Sequence, residues 1–344
     1  MKSLVCIIMF VFLIPIFSFG QKKAERIITN SVFADIGEYN TYNKSLLFVA
    51  TNIDSISKKI IETSIRVKNI STGDEIILKS NVLNPAIGWL DSCNVLIREG
   101  ISIEGDKLFG TWKGILIRYN IFNNRKDTIE SPWLTSENHV DNLYASEGKI
   151  FYTISFYGDN NLYLKALDVN TGKTNSIKLF KNLKSNDIVA FQYLPKTQEI
   201  IYMLASSEEK KEIILQSLFD EKETVIGTVT SRNNIESSAY FKDELYFLER
   251  IIEYNGDGIP NLDNSNYVIK KFNIISKETM EVFAFEKGIE VTKISPFIEG
   301  QLLVSLHTNG EKNIADKTFG FYKGGNIILG LNPESFIYIL KLNN

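Results

Sequence analysis

Histidine and cysteine are nearly missing from this chain, with two of each among 344 residues. That starves zinc, thiol and imidazole chemistry. Neither histidine lies at ligand spacing from the other, and no serine sits in a Gly-x-Ser-x-Gly elbow. Charge of one sign is missing too. Lys and Arg total 38 against 41 Asp and Glu, a formal net charge of −3, so there is no basic footprint for nucleic acid. No run of spanning length follows residue 19, and no stretch keeps a 3.6-residue apolar period. What remains is ordinary for a folded soluble protein: 44% hydrophobic, 12% aromatic and 23% charged residues.

The first twenty residues read as an address. Lys2 precedes the apolar run Leu4 to Phe19, and Ser18 and Gly20 are the small residues of a cut before Gln21. This is the pattern of a secretory signal peptide; the alternative is an uncleaved anchor. The expected product is an exported monomer, periplasmic or extracellular, with residues 21–344 as one domain and no membrane span. Losing Cys6 leaves Cys93 alone, so no internal disulfide forms and the fold must hold by its core. Cys93 abuts Val95-Leu96-Ile97 and is expected to be buried.

The body repeats. One unit is a strand, a polar turn and a second strand, with turns near residues 71, 124, 170, 220 and 276. A second unit, in phase with it, is an aromatic strand end, a short polar turn and an apolar strand. Its six copies are Tyr42–Phe48, Trp89–Ile97, Tyr144–Tyr152, Tyr193–Tyr202, Tyr240–Phe247 and Phe297–Val304. Two hairpins per ~50 residues make a four-stranded unit, the arithmetic of a propeller blade. The last unit, Ser335–Leu342, matches a third strand and has no fourth after it. Residues 26–31 are left over at the other end and can fill that slot. The expected fold is an all-β, six-bladed β-propeller of four-stranded blades, its ring closed by an N-terminal strand.

The segment Trp89-Leu-Asp-Ser-Cys-Asn-Val-Leu-Ile97 resembles the aromatic-Ser-Pro-Asp-Gly-x-x-Ile motif of TolB-like six-bladed propellers, and Asn170-Thr-Gly-Lys173 resembles the turn between their outer strands. The likeness spans residues 26–344. The Pro-Asp-Gly core is nowhere intact, and only Pro195 keeps the proline. The resemblance implies an interaction module of the Gram-negative envelope. Similar propellers also serve as the non-catalytic domain of peptidases, but no hydrolase domain accompanies this one.

Two segments stand out as candidate sites. Residues Glu253 to Asn264 match an Asx-rich calcium loop, with oxygens from Glu253, Asn255, Asp257, the Ile259 carbonyl, Asn261 and Asn264, Asp263 adjacent, and Gly258 at the sharp turn. The few formal charges imply a structural Ca2+ of weak affinity, ~10⁻⁴–10⁻³ M. The alternative is a loop whose Asn, Asp and Gly satisfy turn geometry. Between Leu306 and Ser335 lies a long insertion with Phe319, Phe321 and Tyr322, either a recognition patch for a protein or small-ligand partner or an extra hairpin with packed aromatics. Both segments join second and third strands of neighbouring blades, so they share a face. His139 and His307 read as packing or surface residues, Trp89 and Trp133 as inter-blade packing. Glu208-Glu-Lys-Lys-Glu212 reads as a solvated loop. The leading expectation is a binding module acting through the loop face of blades five and six. The alternative is an enzyme on a glycan or peptide, with carboxylates at the channel mouth.

Overall fold

The computed structural model describes residues 24–28, 33–53, 60–82, 86–102, 112–135, 138–156, 158–183, 187–207, 209–220, 222–230, 233–254, 260–285, 289–298, 300–308 and 334–342. Residues 1–20 of the expected signal, and the insertion with Phe319, Phe321 and Tyr322, lie outside them.

The described residues form six four-stranded antiparallel sheets arranged as a β-propeller, with no α-helix among them. The first strand, β1 (Ala24–Ile28), belongs to the last blade. Blade one is β2 (Phe33–Asn40), β3 (Ser45–Ile53), β4 (Ile60–Asn69) and β5 (Glu75–Ser80). Blade two is β6 (Ala86–Trp89), β7 (Asn94–Ser102), β8 (Trp112–Asn120) and β9 (Lys126–Ile129). Blade three is β10 (Asn138–Ser146), β11 (Lys149–Phe156), β12 (Asn161–Asp168) and β13 (Thr174–Lys181). Blade four is β14 (Ile188–Leu194), β15 (Glu199–Ala205), β16 (Lys210–Ser217) and β17 (Glu223–Thr230). Blade five is β18 (Asn234–Phe241), β19 (Glu244–Tyr254), β20 (Pro260–Asn273) and β21 (Thr279–Ala284). Blade six is β22 (Glu290–Pro296), β23 (Gln301–Thr308) and β24 (Glu334–Lys341), and β1 supplies its fourth strand. The pairs Ala24↔Leu340, Arg26↔Tyr338 and Ile28↔Ile337 make that closure, as the leftover strand foretold.

The second strand of each blade is apolar on both sides because both sides are buried. Along β3, Leu46, Phe48 and Ala50 face blade six while Leu47 and Val49 face blade two. The six hydrophobic clusters among the described residues are the six blade interfaces, and none of them is the core of a single blade. Each fully buried Leu, Ile or Phe contributes about 1.5–3 kcal/mol there. Fourth strands show the opposite pattern, mostly exposed, as for β13 and β17.

The third-to-fourth turns explain the sequence period. Asn69, Asn120, Asp168 and Asn273 each accept two backbone N–H groups with one side-chain oxygen, those of the second and third residues beyond. The fourth residue beyond, Gly73, Asn124, Gly172 or Lys277, has positive φ. An Asx acceptor and a left-handed residue close the same turn each time.

Three sequence expectations need correction. Tyr42 is 86% exposed in its turn, and Tyr39 packs on Phe297 in its stead. The aromatic belongs on the strand, where it can reach the next blade. Cys93 is half-buried in the turn after β6, since the core begins only at Val95. Lys210 and Lys211 begin β16 instead of lying in a loop. Lys211 is buried, and its Nζ donates to the Asn233 carbonyl at 2.9 Å. Asn233 in turn donates to the fully buried Glu249, which is also paired with Lys270. This polar pin joins blades four and five. Trp89 and Trp133 do pack between blades, Trp133 stacking on Tyr152 at 4.0 Å.

Candidate functional site

The innermost strands β2, β6, β10, β14, β18 and β22 adjoin one another in that cyclic order and wall a central channel. It holds a cavity of about 300 Å³ with lining from all six. Five of these strands, all but β6, carry a bulge near their middle. A bulge re-aims the side chains beside it, and here those are the cavity residues Glu38, Leu143, Gln192, Ser237 and Lys293.

Polar links between neighbouring blades brace this wall. Glu38 Oε2 accepts the Trp89 N–H at 3.1 Å, and the Trp89 indole donates to the Glu38 carbonyl at 3.0 Å. Gln192 Nε2 donates to the Ser238 carbonyl at 3.2 Å. Ser237 Oγ accepts the Ile294 N–H at 3.1 Å and donates to the Ile294 carbonyl at 3.2 Å.

Three charged side chains line the cavity: Glu38, Glu236 and Lys293. Enclosure pushes the Glu38 carboxyl up to about 7, against the opposing pull of Lys293 and the Trp89 N–H. The Tyr144 hydroxyl is pushed up as well, first by burial and then by the charge of Glu38. The residues of this channel escaped the sequence reading. Their charges are scattered one per blade over more than two hundred residues, and the bulges break the strand alternation. One signal exists once the repeat phase is known: a charge close to a buried apolar residue of a first strand, as in Ile235-Glu236 and Lys293-Ile294.

The blade five segment expected to bind calcium is a hairpin. β19 and β20 pair from Glu244↔Asn273 to Ile251↔Asn266; the register then shifts, and pairing resumes at Glu253↔Asn261 and Tyr254↔Pro260. Asn261, Asp263 and Asn264 lie within β20, Asp263 and Asn264 in the irregular stretch between the two paired runs, and Asn261 is opposite Glu253. Asn255, Asp257 and Ile259 fall outside the described residues. Among the described residues, no three His, Cys, Asp or Glu side chains converge as a metal site. Tyr254, at the end of β19, is 65% exposed. His139 and His307 lie on β10 and β23.

No protein-family model matches the chain, and no curated protein matches it. Many solved structures do. An oligogalacturonate lyase from Vibrio parahaemolyticus is 9% identical, covers 95% of both chains and has a TM-score of 0.50. An oligogalacturonate lyase in complex with manganese is 8% identical over 95% of both chains, with a TM-score of 0.48. A nidogen/laminin complex is 9% identical over 74% of this chain and 80% of that one, with a TM-score of 0.45. At such identities the likeness concerns the fold. The resemblance to TolB-like six-bladed propellers holds at that level.

Proposed function

We propose that this chain is an exported binding module that docks a partner protein on the face bearing the second-to-third connections of blades five and six. The observation that carries the reading is the β19–β20 hairpin, whose strands of 11 and 14 residues are the longest second and third strands among the described residues and present Tyr254 to solvent. An exposed aromatic at the end of a strand of the ring is the kind of residue that dominates interface energetics. In sequence, residues 309–333 join the corresponding strands of the neighbouring blade, so Phe319, Phe321 and Tyr322 would extend the same surface.

A cross-linking pull-down from the native envelope fraction tests the reading with three baits: residues 21–344, the same chain lacking 309–333, and its Tyr254→Ala variant. A specific partner should be captured by the first and at least tenfold less by the other two. Running each with and without millimolar calcium tests whether the hairpin needs the ion. Equal capture by all three baits, or no specific partner, would overturn the proposal. N-terminal sequencing of the exported protein should begin at Gln21.

A further inference from the structure

The channel cavity takes no part in that docking surface and has a chemistry of its own. At about 300 Å³ it lies at the lower end of small-molecule pockets. Its charges are unbalanced, two carboxylates from Glu38 and Glu236 against the single ammonium of Lys293. Among the described residues Lys293 makes no ion pair with either. The Glu38 carboxylate, fixed by the Trp89 N–H, therefore faces the cavity without a bonded cation. The rest of the lining is mixed: Ile87, Leu143, Phe191 and Ile294 offer apolar contact, and Gln192 and three serines add polar groups, which suits a small polar organic molecule better than a bare ion.

We propose that the channel binds a compact organic amine, its ammonium held by Glu38 with support from Glu236 and its carbon frame against Ile87, Leu143, Phe191 and Ile294. An anion would meet two carboxylates for one lysine. Lys293 is then a competitor for Glu38, setting the affinity below what the two carboxylates would give alone. The groups facing Glu38 are Trp89 from β6, Tyr144 from β10 and Lys293 from β22, with Glu236 on β18 lining the same cavity. Of these, the Glu38 carboxyl changes charge near neutrality. An ammonium ligand requires it ionised. Affinity should therefore rise as pH rises through about 7, roughly tenfold between pH 6 and pH 8, and binding at pH 6 should release a proton.

The test is calorimetric titration of the full exported chain with putrescine and cyclohexylamine, both ammonium ions throughout pH 6–8, with glucose and acetate as controls. At least one amine should bind saturably and neither control should. Glu38→Gln should weaken binding at least tenfold and abolish its pH dependence. Glu236→Gln should weaken it severalfold, and Lys293→Met should tighten it severalfold. A variant that fails to melt cooperatively is set aside, and the opposite signs of the other two decide. No amine binding at about 10 mM, equal binding of acetate or glucose, or weakening by Lys293→Met would overturn the proposal.

Discussion

Glu38 shows how one residue can serve the site at a cost to stability. Its folded carboxyl titrates near 7, above its ordinary 4.5. Between those values the unfolded chain gives up a proton that the folded chain keeps, so the contribution of Glu38 falls as pH rises from about 4.5 to 7 and stays low above. Glu38→Gln keeps the acceptor for the Trp89 N–H and removes the charge. It should match the parent near pH 4 and exceed it by about 1–3 kcal/mol at pH 8. Denaturant melts of both proteins across that range measure the difference, and a constant gap at all pH values would refute the assignment. The same scale shows what a sequence can reveal. The Asx residues Asn69, Asn120, Asp168 and Asn273 repeat at a readable spacing because each satisfies its own turn locally. Glu38 gains its role from Trp89, Tyr144 and Lys293 on three other blades, and no local pattern announces that.

At the scale of the strand, legibility follows burial. Second strands such as Leu46–Ala50 and Ile150–Ile154 stand out because both faces are covered. The bulges of the first strands have no compositional mark, and neither does the strand position of Asn261, Asp263 and Asn264 on β20, because Asn and Asp are also loop formers. Packing between elements is tight where a glycine permits it. A Cβ on Gly227 of β17 would lie 2.3 Å from the ring of Phe272 on β20, itself fully buried. Gly227→Ala should destabilise the protein by about 1–3 kcal/mol through overpacking of the interface between blades four and five. Chemical denaturation would detect it. Restoration of stability by the further change Phe272→Leu would assign the loss to this contact, and an unchanged midpoint for Gly227→Ala would contradict the geometry.

For the whole molecule, the ring is the unit of stability, because every hydrophobic cluster lies between two blades. The N-terminal strand closes it. Removing residues 21–28 from a chain of residues 21–344 would leave β24 with an open edge and forfeit the ladder bonds of β1. At ~0.5–1.5 kcal/mol per bond this is a loss of about 2–6 kcal/mol, accompanied by edge-to-edge association. Melting temperature and light scattering after size exclusion should report both effects, and a peptide of residues 21–31 added in trans should reverse them. A truncated chain that melts like the parent and remains monomeric would show that closure contributes nothing. This closure was legible as arithmetic, since a missing fourth strand at one end matched a spare strand at the other.

That pairing of Ala24 with Leu340 also governs how the molecule can come into being. β1 must wait for β24 before it has any neighbour, a pairing across almost the whole described chain. High contact order of this kind slows folding. A partly synthesised chain can stack blades but cannot become a ring, so the final step of folding is a single late event that depends on both ends at once.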